Sequence, residues 1–342
     1  MMKKIRTLGL VFSVVALAAF SMACSNPSGP GNNQTITTVR PGNPDVGNLP
    51  GGDAVGTSLY DQINWVREHY MLDTHYYAGF TVRANYDNEE LDGQLDLNFS
   101  RPVTITMLPA AGHTGARTIE GHSGCTLSTI VVRSGNRLIM QDIILQERAS
   151  LPGVPDRSNS LITVLANAGL EMTGLSEITG GQRRGVVVAG NSSLIMRDSA
   201  RIHNNAHTGD GSGVQLSGID ATLRMYDNAS IDFNSTSGRG AGVNAHNGAV
   251  IIMRGSSEIH NNSTTGNGGG VALTAAGSRL SIYDIASIHT NTAGNNGGGV
   301  FMDSNAPFGG IGHTIIGAAR ITGNTAVTLG DEVHSSGQGN TW

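Results

Sequence analysis

The chain has 342 residues, 14% of them charged and 5% aromatic, with 48 glycines, two cysteines and a formal charge of −5. All basic residues other than Lys3 and Lys4 are arginines, and without the first 23 residues 18 arginines face 26 acidic residues, for −8. A mildly acidic surface argues against nucleic acid or anionic lipid as a main partner.

Residues Met1–Ala23 read as an export signal, with Lys3, Lys4 and Arg6 ahead of an apolar run from Leu8 to Phe20 that is too short to span a bilayer. The segment Ser21-Met22-Ala23-Cys24 resembles a bacterial lipoprotein box, which implies lipidation of Cys24 and a membrane partner through that anchor. Cys125 is then left alone, with no internal disulfide to make. Ordinary signal cleavage is the alternative. Ser25 follows the cysteine where Asp would imply inner-membrane retention, so an outer-membrane lipoprotein on either face is the expected location, with secretion as the alternative. Residues 24–56, rich in Pro, Gly, Asn and Thr, cannot bury a core and read as a disordered tether. From Ser58 the pattern turns helical. Leu59, Ile63, Val66 and Tyr70 share one face, and Ser58 with Asp61 makes a capping-box-like start. The stretch Ser58–Leu72 is therefore expected to cap the repeats C-terminal to it, within a cap region over 57–94.

The rest of the chain, 95–342, is governed by a repeat. Gly-Val pairs fall at Gly185-Val186, Gly213-Val214, Gly242-Val243, Gly270-Val271 and Gly299-Val300, at intervals of 28, 29, 28 and 29 residues. Such a period marks a stacked-repeat protein. Each unit carries an alternating stretch such as Leu194, Met196, Ala200, Ile202 or Leu223, Met225, Ala229, Ile231, which is strand periodicity with one face buried. Asp198, Asp227, Gly255 and Asp284 fall midway, where Asp alternating with Gly suggests a bend in left-handed backbone. The pattern extends back to Leu138 and forward to Ile321, giving about seven coils with insertions near Ser150–Ser160 and Asn305–Gly310. Three residues after each closing Ile stands an asparagine: Asn205, Asn234, Asn262, Asn291 and Asn324. Stacked at about 4.8 Å, these would form a hydrogen-bonded ladder inside the turns. Three short strands per coil and that ladder predict an all-β fold, a right-handed single-stranded parallel β-helix with an N-terminal capping helix. The polar stretch after Asn324 offers little as a cap, so that end is expected to fray or associate.

The phrases IHNNSTTGNGGGVAL and IHTNTAGNNGGGVFM resemble the repeats of bacterial pectate-lyase-like β-helix surface proteins, most nearly those of the polymorphic outer-membrane protein and adhesin type. The likeness covers about Leu95 to Asn324. It implies the fold and leaves function open, because one scaffold carries lyases, hydrolases, adhesins and structural proteins. Of the lyase features, a Ca²⁺-binding aspartate cluster and a lysine base are missing. Gly121-His122-Ser123-Gly124 is only faintly like the polygalacturonase Gly-His-Gly, without a neighbouring Asp pair. No catalytic residue and no cofactor are assigned.

One constellation suggests more. Directly after the closing Ile come His203, Asp232, His260 and His289 in four successive coils, on the outward face by alternation. Two stacked imidazoles beside a carboxylate could hold a divalent transition metal, or charge together near pH 6; the plain alternative is a solvent-facing polar stripe. The expected function is a non-enzymatic exported surface lipoprotein presenting the β-helix for adhesion, ligand or glycan binding, or envelope structure, with a host or cell-surface protein or glycan as partner. A pectate-lyase-like polysaccharide lyase or glycoside hydrolase is the alternative. It would gather carboxylates, arginine and aromatics over one part of one face.

Overall fold

A computed structural model describes residues 58–72, 79–91, 93–121, 127–147, 159–275, 277–303, 312–315 and 320–336. The export signal, Cys24, the tether, His122, Cys125, the insertion near Asn305–Gly310 and most of that near Ser150–Ser160 lie outside the described residues. Among those described, no helix is long and apolar enough to cross a membrane.

The chain winds as a parallel β-solenoid of right-handed type. Three sheets of nine strands run its length: sheet A from Gly79–Ala84 to Gly312–Ile315, sheet B from Glu89–Leu91 to Arg320–Thr322, and sheet C from Leu95–Leu97 to Val333–Ser335. Nine strands per column make roughly seven to eight turns, in line with the count expected from the repeat, and a rod of about 38 Å. The first turn begins at Gly79, inside the stretch expected to belong to the cap. Phe80, Val82 and Ala84 alternate inward there, but without the Gly-Val and Leu-x-Met landmarks of later coils. A fourth sheet of five two-residue strands, from Ala206–His207 to Thr325–Ala326, was also unforeseen. Two residues are too few to show a period.

Like side chains stack on like. Leu138, Leu170, Leu194, Leu223, Ile251 and Leu280 form one inward column of sheet A, and Met140, Met172, Met196, Met225, Met253 and Ile282 the next. All are buried, as are Ile178, Ile202, Ile231, Ile259 and Ile288 of sheet B. Beside this apolar interior the asparagines form the expected ladder. The backbone N–H and the side-chain Nδ2 of each donate to Oδ1 of the next, from Asn205 to Asn324, at 2.9 to 3.1 Å. Each Nδ2 also reaches a strand carbonyl of the preceding turn, as Asn234 does to Ile202 at 3.0 Å. The Gly-Val landmark has its cause here. A Cβ on Gly242 would stand 2.6 Å from the Gly270 carbonyl oxygen and 2.9 Å from Asn262 Nδ2, so the ladder leaves no room for a side chain.

Both ends are finished by polar groups. The helix α1 (Leu59–Leu72) buries Leu59, Ile63 and Val66 on the first turn. Ser58 Oγ accepts the Asp61 N–H at 3.1 Å and Asp61 Oδ2 accepts that of Ser58 at 3.3 Å, a reciprocal cap. Gln62 covers the open edge of sheet A as a peptide would: Nε2 donates to the Arg83 carbonyl at 2.8 Å and Oε1 accepts the Arg83 N–H at 2.6 Å. At the other end, Thr325–Ala326 and Val333–Ser335, within the stretch expected to fray or associate, form the last strands of the fourth and third sheets. Glu332 Oε2 accepts from Asn324 N at 3.4 Å and Nδ2 at 2.6 Å, taking the place of a further asparagine.

Candidate functional site

The outward column of sheet B forms as its sequence spacing requires. Strand register stacks His203 on Asp232, Asp232 on His260 and His260 on His289, with Thr179 before and Thr322 after. It is less exposed than alternation alone implies: Asp232 is 1% and His203 8% accessible. The cause is the neighbouring column two residues earlier, Glu177, Arg201, Ser230, Glu258 and Ser287, whose long side chains lie over it.

The two columns interlock. Arg201 grips Asp232 with both ends of its fork, Nε to Oδ2 at 2.9 Å and Nη2 to Oδ1 at 2.8 Å, and Ser230 Oγ adds a bond of 2.9 Å. His203 Nε2 meets Glu177 at 3.1 Å. His260 Nε2 lies 3.4 Å from Asp232 and 3.8 Å from Glu258, which is 3.6 Å from His289 Nε2 on its other oxygen. The rings of His260 and His289 are parallel, with centroids 5.0 Å apart. On the far side of each ring the next residue holds Nδ1: Asn204 Nδ2 donates to His203 at 2.8 Å and Asn261 Nδ2 to His260 at 2.8 Å. Since an amide N–H₂ only donates, the neutral rings carry their proton on Nε2 and direct it toward the carboxylates. The hydrogen bond from His203 holds Glu177 below the usual carboxylate range. Burial, reinforced by the charge of His289, pushes His260 below the ordinary imidazole value against the opposing pull of Asp232 and Glu258.

The stripe, for which the sequence allows a metal site, a pH-responsive column or a plain polar face, is a ladder of hydrogen bonds and ion pairs; among the described residues no group of three or more His, Cys, Asp or Glu is placed to hold a metal ion. The bend aspartates adopt the left-handed backbone foreseen for them, with φ of 55° at Asp198, 54° at Asp227 and 60° at Asp284. Their carboxylates accept backbone N–H groups of the preceding turn: Gly174 to Asp198 at 2.9 Å, Asp198 to Asp227 at 3.1 Å and Gly255 to Asp284 at 2.9 Å. A bond from the Thr173 hydroxyl, followed by that Gly174 bond, holds Asp198 below its usual range.

Two features escaped sequence reading. The first is a second left-handed column, Gly180, Asn204, Phe233, Asn261, Thr290 and Gly323, in which Phe233 takes φ of 50° with its ring half exposed and edge-on to His260 at 6.2 Å. Gly and Asn in four of six copies were the available signal. The second lies on the outward face of sheet A, where the residues after Met196, Met225, Met253 and Ile282 stack as Arg197, Tyr226, Arg254 and Tyr283. The Arg197 guanidinium sits 4.5 Å over the Tyr226 ring and that of Arg254 4.3 Å over Tyr283. In the sequence these tyrosines register only as scarce aromatics. A shallow open depression lined by Gln182, Ala206, His207, Thr208, Ser235 and Thr236 marks where the fourth sheet begins.

No protein-family model, curated protein or solved structure matches this chain.

Proposed function

We propose that the protein is a non-enzymatic exported lipoprotein, held to the outer membrane through Cys24, that presents its β-helix as a rigid rod for adhesion, ligand or glycan binding, or envelope structure. The observation that carries this reading is the stacking itself. Three nine-stranded sheets in continuous register, with internal polar ladders and an N-terminal helix covering one edge, make a stiff scaffold whose long faces repeat every turn. The lipobox-like start and the Pro/Gly-rich stretch behind it supply an anchor and a spacer. Impermeant labelling or protease treatment of intact cells tests it. Modification of the chain on whole cells, abolished when Cys24→Ala releases the protein, is the expected result; labelling only after lysis would overturn surface presentation.

The cluster of Arg201, Asp232, Glu258, His260, His289 and Phe233 on one part of sheet B favours a second reading, a polysaccharide lyase or glycoside hydrolase. We rank it lower because Asp232 is consumed by Arg201 and Ser230, and general acid–base work needs a carboxylate that faces substrate. Turnover of acidic polysaccharide, lost in Glu258→Gln, would reverse the order.

A further inference from the structure

Among the described residues, six surface arginines are matched by a carboxylate. Arg117 pairs with Asp87, Arg133 with Asp96, Arg137 and Arg197 with Glu171, Arg201 with Asp232, and Arg239 with Asp303. Arg224, Arg254 and Arg279 differ: among the described residues they make no ion pair and no hydrogen bond, although the chain as a whole is acidic. All three stand on the outward face of sheet A in three consecutive turns. Register puts Arg224 directly beside Ile252, Ile252 beside Ser281, and Arg279 beside Val250, while Arg254 lies two residues further along the strand of Ile252. With strands about 4.8 Å apart and about 3.3 Å per residue, the Arg224 backbone is roughly 8 Å from that of Arg254 and roughly 12 Å from that of Arg279. Three guanidiniums therefore surround a partly exposed apolar patch of Val250 and Ile252. Tyr283 holds Arg254 in place from one side, which lowers the ordering cost of using it.

We propose that this face of sheet A binds an anionic glycan, whose carboxylate or sulfate groups are taken by Arg224, Arg254 and Arg279 while its sugar rings lie across Val250 and Ile252. Guanidinium groups are suited to such anions because their fork matches the planar oxygen pairs of carboxylate and sulfate. The spacing is that of sparse charges on an extended polymer. A nucleic acid carries charge every few ångströms and binds in proportion to the phosphates neutralised, so three arginines on an acidic chain serve it poorly. A peptide strand finds no open backbone here, because the strands of Arg224, Ile252 and Ser281 are paired on both sides. The tyrosine rings are not sugar-stacking platforms, since guanidiniums already lie over them; their edges and hydroxyls border the patch.

The inference deepens the surface-presentation reading, and the two fail separately: cell labelling tests where the domain sits, whereas glycan binding is measured on purified full-length chain. Titration at low salt with heparin, hyaluronan and neutral dextran is expected to show binding of heparin, with or without hyaluronan, and none of dextran. Binding of heparin alone assigns the site to sulfate, and binding of both shows that carboxylate suffices. Arg224→Gln and Arg279→Gln are each expected to weaken binding about tenfold. Tyr283→Leu, which keeps every charge but frees Arg254, should weaken it by a smaller factor. Absence of binding to both polyanions, or tighter binding of duplex DNA or phosphatidylserine vesicles, would overturn the proposal.

Discussion

Replacing Asn234 by alanine probes the ladder at its middle. The side chain is 1% exposed and takes part in four hydrogen bonds: Oδ1 accepts Asn205 N and Nδ2, each at 3.1 Å, and Nδ2 donates to the Ile202 carbonyl and to Asn262 Oδ1, each at 3.0 Å. These losses are unequal. Asn262 Oδ1 keeps the Asn234 backbone N–H at 3.0 Å, and Asn205 Nδ2 keeps the Ile178 and His203 carbonyls at 3.2 and 3.0 Å. The Asn205 N–H has no second acceptor of that kind and is left buried, at a cost of about 1–3 kcal/mol, while the remaining bonds contribute roughly 1 kcal/mol each. Asn234→Ala is therefore expected to cost about 4–6 kcal/mol, at the upper end for a single substitution. Asn234→Asp keeps the acceptor but sets an oxygen against two acceptor oxygens, and should be at least as damaging. Urea unfolding with an unchanged m-value measures the cost. A loss below about 1 kcal/mol, no larger than for the exposed Asn228→Ala, would refute a ladder of this importance.

Other expectations concern backbone, ends and protonation. Phe233→Asn should stabilise the fold by about 0.5–1 kcal/mol, because relief of the left-handed backbone, roughly 1–2 kcal/mol, exceeds the lost edge contact with His260; a lower urea midpoint would contradict this. Gly242→Ala should cost at least about 3 kcal/mol, since the added methyl meets the Gly270 carbonyl and Asn262, both held in stacked columns; calorimetry finding it neutral would show that the columns yield. Gln62→Ala opens the first edge of sheet A, and sedimentation should then show self-association that Asn64→Ala does not cause. The pH response rests on two groups. His260 is held below its ordinary value, so the unfolded chain takes up the proton first and stability declines as pH falls below about 6.5. Glu177 is also depressed, so its contribution, present above its unfolded value near 4.3, fades as pH drops through its folded value. Urea midpoints measured across this range should fall, and His260→Gln should flatten only the upper part.

The repeat alone determined the parallel solenoid, the asparagine ladder and the bend aspartates, because in a stacked coil any position recurring each turn must lie over its counterpart. Phe80, Val82 and Ala84 were harder to assign, since the first turn packs against a helix on one side and needs none of the landmarks that later turns impose on each other. Period also stacked His203, Asp232, His260 and His289 correctly, but their character depended on side chains two residues away. Arg201 and Glu258 reach across from the adjacent column, and only their packed conformations decided that Asp232 is buried and paired. The same holds for Arg254 over Tyr283, and for Glu332 ending the ladder of Asn324. Backbone register is a property of spacing and so can be read along the chain. Which neighbour a long side chain takes is settled by reach and competition among columns, which exist only once the coils are closed.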